Sequence, residues 1–543
     1  MKRLLVLPGA VAVVALYLAF AQPAPPALAA LFPPGALVYL EAKNFSGLLA
    51  DWDSSPEKAA WLKGASYDQF SRSHLFLRLR DAQTEFATAA GIPPDYALVS
   101  SVAGGNSALA FYNIGDLEFL YVTHLASSRA LDTALWKVRG NYQTRRAAGV
   151  DYFVKEDAAT HRVACFAYAG DLLLIATKED LLAGTLQLRA QAAASLASES
   201  WFLQATSAAQ PGSSDLRLVY NMDRLRATPQ FRSYWVQRNA SALGEFSAGI
   251  ADLERASGEV RERRVLLRTN PGEAPDETAA GALLAAVPDD AGLYRSWLHP
   301  GADQARELIA EKIYAAIAPP KPKNEEAPPV DATPDAGAEQ DLETRINEAP
   351  LTDDRVTAAF RALQDRLSAA KLDALLQVEK TRAGDVFIGA DSAIAILAAT
   401  PWDANAMRAA LAQAAGSLWS VAGIGALDSL SKISIAADGR WFVVGNSADL
   451  VNEIMAHRNR PAAAGATYSA AYRHAREFAN FERMTRLIDF PQIAPANTPR
   501  EPLFYSENLT NLGRALARVQ SAEIAVHDVG AMLRENVIYR IVP

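Results

Sequence analysis

Two serine–lysine pairs have the spacing of a self-activated nucleophile. In Ser55-Pro56-Glu57-Lys58 and Ser429-Leu430-Ser431-Lys432 the two side chains stand three residues apart. On a helix such residues share a face, and the amine could take the hydroxyl proton. Nucleophiles of this kind come with K-T-G and S-D-N segments, and neither follows here. Ser55 also stands directly before Pro56. That order suits a helix cap followed by a first-turn proline, which needs no N–H there. The residues therefore favour a structural task for Ser55.

Other chemistry is sparser still. Cys165 is the single cysteine, so no intramolecular disulfide can form. It sits in the apolar run Val163-Ala164-Cys165-Phe166-Ala167, where a thiol behaves as a small inert hydrophobe. The seven histidines (74, 124, 161, 299, 457, 474 and 527) are scattered, without HExxH or a close pair. A structural zinc site is excluded, and a catalytic one has no local signature. The pairs Asp51/Asp53 and Asp353/Asp354 lack a calcium-loop pattern and read as solvated turn residues. No phosphate-binding glycine loop and no G-x-S-x-G elbow occurs. No cofactor and no metal is expected, and no catalytic residue can be assigned by spacing. The N-x-S/T triplets at Asn44, Asn239 and Asn508 read as chance. An aromatic group, Phe45, Trp52, Trp61, Tyr67 and Phe70, could be a platform for sugar or lipid. The favoured reading is a core contact between the opening strand and its two helices.

The elements that would position these residues read as α+β. Residues 36–42 form a strand, 56 onward a helix, and 75–90 a longer helix ending at Gly91 before Pro93-Pro94. Hairpins follow: 107–113 with 117–124, and 163–168 with 172–177. The second passes into a helix through Thr177-Lys178-Glu179-Asp180, a capping-box-like start, with Asn446-Ser447-Ala448-Asp449 as its later counterpart. Long alternating strands, 245–254 with 259–269 and 522–528 with 531–542, predict one buried and one wet face. Hairpins outnumber βαβ crossovers, so mostly antiparallel sheets with packed helices are expected.

The chain repeats itself. Pro33…Ala36…Tyr39 matches Pro288…Ala291…Tyr294 as P-x-x-A-x-Φ-Y, where Φ is apolar. Gly170-Asp171-Leu172-Leu173-Leu174-Ile175 matches Gly439-Arg440-Trp441-Phe442-Val443-Val444, each followed by Asp-Leu at the same distance. Gly258…Val265…Arg268 matches Gly530…Val537…Arg540. The separation grows in order, from 255 to 269 to 272 residues. Three collinear matches predict an internal duplication, with copies at 31–270 and 280–543. The growth falls where 319–341 forms a Pro-rich, acidic, aromatic-free insertion, which reads as a disordered loop within copy two.

Length and composition set the remaining bounds. With 543 residues, half of them apolar and 21% charged, the chain can build several cores. A net charge of −8 gives no basic footprint for nucleic acid. Lys2 and Arg3, the uncharged apolar run 4–21 and the A-x-A triplets Ala27-Leu28-Ala29 and Ala19-Phe20-Ala21 together predict an export signal over 1–30. A retained anchor is the alternative, with membrane contact confined to 4–21. Together with Phe32–Ala42 and the Gly-Asp-Leu-Leu-Leu-Ile hairpin, this start resembles large exported bacterial proteins carrying a domain of unknown function, of Acidobacteria-like genomes. That resemblance implies residence in the periplasm or cell envelope and supplies no activity. Copy two departs from the opening pattern at Arg295-Ser296-Trp297, so a site built on Glu41 would exist once.

Three functions fit, in descending order. The first is a non-catalytic binding or scaffold protein engaging other envelope proteins. The second is a periplasmic carrier of lipid or another amphiphile. The third is a hydrolase whose residues converge only in three dimensions.

Overall fold

The computed structural model describes residues 27–63, 67, 71–72, 74–191, 193–229, 243–314, 360–383, 388–422, 433–474, 476–477 and 518–542. The charged and apolar start at 2–21, the 319–341 insertion, Ser429/Lys432, Asp353/Asp354, Asn239, Asn508 and Phe70 lie outside them. The protein is α+β, and every strand pairing whose register is described is antiparallel. It divides into two compact units: Met1–Asp53, His74–Ala208 and Asp215–Ile250 in the first; Ser54–Ser73, Ala209–Ser214 and Ala251–Pro543 in the second.

The first unit holds β1 (Val38–Ala42), β2 (Ser107–Asn113), β3 (Glu118–His124), β4 (Gln143–Ala147), β5 (Val150–Glu156), β6 (Val163–Ala169), β7 (Leu172–Ala176) and β8 (Leu216–Asn221). Their pairings give the order β4-β5-β6-β7-β3-β2-β1-β8. Strands β6 and β7 are almost wholly apolar because they are central and covered on both sides. Phe166, Leu173 and Ile175 face a core closed by Ala89, Ala90, Leu98 and Leu135, from the helices His74–Ala90, Tyr96–Val102 and Ala134–Lys137. Edge strand β4, by contrast, carries Gln143, Arg145 and Arg146 exposed, and such charge discourages further pairing. The hairpin β4–β5 had no clear signal in the sequence.

Strand β9 (Phe246–Ala256) runs from the first unit into the second. There it forms a hairpin with β10 (Glu259–Arg268), turning at Gly258 with φ +76°. That backbone suits a residue without Cβ. The second unit continues with β11 (Leu293–Leu298), β12 (Leu372–Ala383), β13 (Ile388–Ala398), β14 (Ser434–Asp438), β15 (Trp441–Gly445), β16 (Tyr468–Tyr472), β17 (Val519–Asp528) and β18 (Met532–Ile541). The order is β14-β15-β13-β12-β11-β16-β17-β18-β10. Alternate residues of β12, β13 and β15 fill two cores. Leu375, Ile394, Ile396 and Phe442 face the helices Ala302–Ile309, Arg361–Ala370 and Ala404–Ala422. Leu376, Val378, Ala395 and Val443 face Thr278–Ala285 and Ala448–His457.

Two expectations change. The alternation in β17 and β18 does not give one buried and one wet face: β17 has no buried residue, and β18 has Val537 alone. Both faces of β18 mix apolar with charged residues, such as Arg534 and Ile538 on one and Glu535 and Val537 on the other, so neither face is wholly taken into a core. The capping boxes also fail. Lys178 and Ser447 are the cap residues, and neither caps with its side chain. Thr177 Oγ1 instead accepts from Phe119 N at 2.9 Å and donates to Leu117 O at 2.8 Å. Asn446 likewise accepts from Ser392 N at 2.7 Å and donates to Ala390 O at 2.8 Å. The neighbouring strand offered these side chains a better partner than the helix start did.

Candidate functional site

Ser55 Oγ accepts the backbone N–H of Lys58 at 3.1 Å and thereby caps the helix Pro56–Lys63, as a cap residue does. Cys165 is buried in β6, and its thiol meets Ala176 O at 3.3 Å. Burial, with Glu179 adding to it, pushes the thiol far above the ordinary range, which suppresses the reactive thiolate. Three histidines have carboxylate partners that their spacing concealed: His124 with Asp171 at 2.8 Å, His161 with Glu156 at 3.2 Å, and His527 with Glu277 at 2.9 Å. A carboxylate orienting an imidazole is part of a hydrolytic constellation. Among the described residues no hydroxyl or thiol bonds to any of these three rings. Nor do three His, Cys, Asp or Glu gather there as a metal would require.

The repeated P-x-x-A-x-Φ-Y segment serves as an anchor for a strand. Pro33 O accepts from Tyr112 Oη at 2.8 Å, and Gly35 N donates to Glu199 Oε2 at 3.1 Å. Arg224 grips Glu199 with both terminal nitrogens, at 2.6 and 3.2 Å, and donates to Ala36 O at 3.1 Å. This guanidinium and the other donors outweigh burial and hold the Glu199 carboxyl below its ordinary range. Tyr39, fully buried between Phe32 and Phe202, donates to Glu41 at 2.8 Å. Glu41 is thus tied to the tyrosine of the motif, while Ser296 stands at its place in the second unit and is buried. The second unit fixes its own opening with Arg476 on Asp290 at 2.9 Å and Arg473 on Asp289 O. Both arginines that grip a carboxylate follow a strand tyrosine by four residues, Tyr220…Arg224 and Tyr472…Arg476. That Y-x-x-x-R pair was legible and was missed, because it becomes meaningful only beside the strand registers.

Among the described residues, two ring contacts join members of the aromatic group to their surroundings. Phe45 approaches Tyr121 at 6.4 Å, and Trp61 approaches Tyr67 at 6.1 Å; these are separate contacts in separate units. Trp52 is 48% exposed and Trp61 42%. The helix Phe45–Asp53, with Phe45, Leu48, Leu49 and Trp52 among its nine residues, buries none of them. The core reading does not hold for Trp52 and Trp61, whose indole rings are largely open to solvent. Asp51 and Asp53 on the same helix are exposed.

The second unit carries two further surfaces. An open cleft of about 390 Å³ in the second unit is lined by Arg408, Leu411, Ala412, Ile433 and Ile435. Strands β10, β17 and β18 carry a ladder of ion pairs: Arg264 with Glu262 at 2.7 Å and Glu535 at 3.2 Å, Arg268 with Asp528 at 2.6 Å, and Arg540 with Glu523.

No family model matches the chain, and no curated protein matches it. Among solved structures it is similar to TP0453 in crystal form I, at 12% identity over 46% of this chain and 81% of that one. Form III of the same protein gives 12% identity over 47% and 84%. The TM-score is 0.24 in both, and superpositions that loose assign neither fold nor function. Among the described residues no helix is long and apolar enough to cross a membrane.

Proposed function

We propose that this is an exported, envelope-resident protein that binds other proteins rather than transforming a substrate. The observation that carries the reading is the helix Phe45–Asp53, an apolar, aromatic-bearing segment without a buried residue. Phe45, Leu48 and Leu49 are half-buried and Trp52 is exposed; such partly open apolar and aromatic side chains are typical of interaction sites, and aromatic residues dominate the energetics of protein interfaces. The structural employment of Ser55 and Cys165 supports the same reading.

The carrier reading has one observation of its own, the cleft beside Leu411 and Ile435, whose volume is of ligand size. Native mass spectrometry of the protein purified from a periplasm, with lipid extraction, separates the two. A stoichiometric protein adduct is expected; a discrete co-purifying amphiphile would put the carrier reading first.

We infer also that the two units descend from one ancestral sheet by duplication. Support comes from the shared order of their strands: β6-β7-β3-β2-β1-β8 runs like β14-β15-β13-β12-β11-β16. For the export signal, processing at Ala19-Phe20-Ala21 is favoured over Ala27-Leu28-Ala29. Leu28, Ala29 and Leu31 are buried in a short turn of helix, and a cut after Ala29 would strip part of that packing. N-terminal sequencing of the exported protein should begin before Leu28; a start at Ala30 would contradict this.

A further inference from the structure

Strands β10 and β18, both in the second unit, pair over nine positions from Glu259↔Arg540 to Leu267↔Met532. They are also the strands whose sequences match, Gly258…Val265…Arg268 with Gly530…Val537…Arg540, 272 residues apart. Glu262 faces Val537, and Val265 faces Arg534; yet Arg534 corresponds to Glu262, and Val537 corresponds to Val265. Each pair is the other with its strands exchanged. The register is therefore symmetric about a point between Arg263-Arg264 and Glu535-Asn536. That is the geometry of an isologous contact, in which i meets j and j meets i. A backbone with this register would accept two β10 strands, or two β18 strands, as readily as one of each.

The side chains at the centre remove that ambiguity. We propose that the β10–β18 contact is a self-complementary joint in which Arg264 and Glu535 select pairing of β10 with β18 over pairing of like strands from two copies. In the observed pair Arg264 stands opposite Glu535, 3.2 Å away, and also holds Glu262 at 2.7 Å. Arg263 stands opposite Asn536 and turns to Glu254 at 2.9 Å. Two β10 strands in the same register would instead set Arg263 opposite Arg264 twice. Two β18 strands would set Glu535 opposite Asn536 twice, with no cation facing it. Like charges directly opposite destabilise a strand pair, whereas opposite charges stabilise it. Gln210 marks the same centre: its Nε2 donates to Arg264 O and to Glu535 O, both at 3.3 Å.

The full-length chain tests it with one engineered disulfide, Leu267→Cys with Met532→Cys, placed at facing positions at the end of the joint. On this background the crosslink should close within one chain, giving monomer mass under denaturing, non-reducing conditions. Adding Glu535→Arg should lower the within-chain yield at least threefold and leave the introduced thiols free, since a like-strand pair sets position 267 opposite Val260 and position 532 opposite Tyr539. Adding Arg264→Glu to that variant should restore the within-chain product, which also controls for misfolding of the single variant. Unchanged within-chain yield in Glu535→Arg would overturn the proposal, as would failure of the charge-swapped pair to recover it.

Discussion

Thr177 in the first unit and Asn446 in the second perform one task with different chemistry. Each ends the second strand of a hairpin, and each clasps the adjoining strand by accepting from a backbone N–H and donating to the carbonyl two residues before it. The opening strands repeat the lesson. Asn221 N donates to Leu37 O at 2.9 Å, and Arg473 N donates to Gly292 O at 2.8 Å, at matching steps of β8 on β1 and β16 on β11. At the hairpin turns Leu125 N meets Asp171 O, and Ala398 N meets Arg440 O, at 2.8 and 3.0 Å. The side chains diverge: Asp171 binds His124, whereas Arg440 binds Asp373 and Ala398 O. Backbone hydrogen bonds must all be satisfied in either sheet, so their pattern persists while charges at the surface are free to invert.

The largest effects should be equal in the two units. Leu173 and Phe442 stand at matching hairpin positions and are fully buried. Leu173→Ala and Phe442→Ala should each cost about 3–5 kcal/mol, from lost burial plus the cavity left behind, read from urea midpoints. A cost under about 1 kcal/mol at either would break the equivalence. The arginine grips should differ. Arg224 holds a half-buried Glu199 with two bonds, so Arg224→Ala should cost about 2 kcal/mol. Arg476 meets Asp290, whose side chain is 47% exposed against 15% for Glu199, and Arg476→Ala should cost under about 1 kcal/mol. Equal losses would show that the two clamps carry equal weight. Removing either clasp, by Thr177→Val or Asn446→Leu, should cost about 1–2 kcal/mol through unpaired backbone groups on the adjoining strand.

The smallest effect is a difference in acid sensitivity. Asp290 is partly desolvated, which alone would raise its pKa, but Lys380 and Arg476 prevail and hold it below its ordinary 3.8. A depressed carboxyl contributes stability above its unfolded pKa and loses it as pH falls through the folded value. Asp290→Asn should therefore flatten the loss of stability from about pH 5 downward, by under about 1 kcal/mol for so exposed a group. An unchanged slope would remove this pair from the account.

The sequence made the hairpins legible because turns such as Ala169-Gly170-Asp171 stand between uninterrupted apolar runs. It concealed β12 and β13, whose stretches 374–378 and 392–398 are buried on both faces and lack the alternation that marks a half-exposed strand. Thr177 and Asn446 look like helix caps in sequence because capping and strand clasping use the same short polar side chains. At Phe45–Asp53 the aromatic residues are legible in the sequence, but the exposure of Trp52 is not, because aromatic content reports what a segment could bury and only the fold decides how much of it is covered.

A photo-crosslinking amino acid in place of Trp52 in the full-length chain, irradiated in intact cells, tests the central claim most directly. The account predicts one discrete protein adduct, lost when Leu48→Ser and Leu49→Ser are added to an otherwise folded chain. Absence of any protein adduct from position 52, with crosslinking to lipid alone, would contradict it.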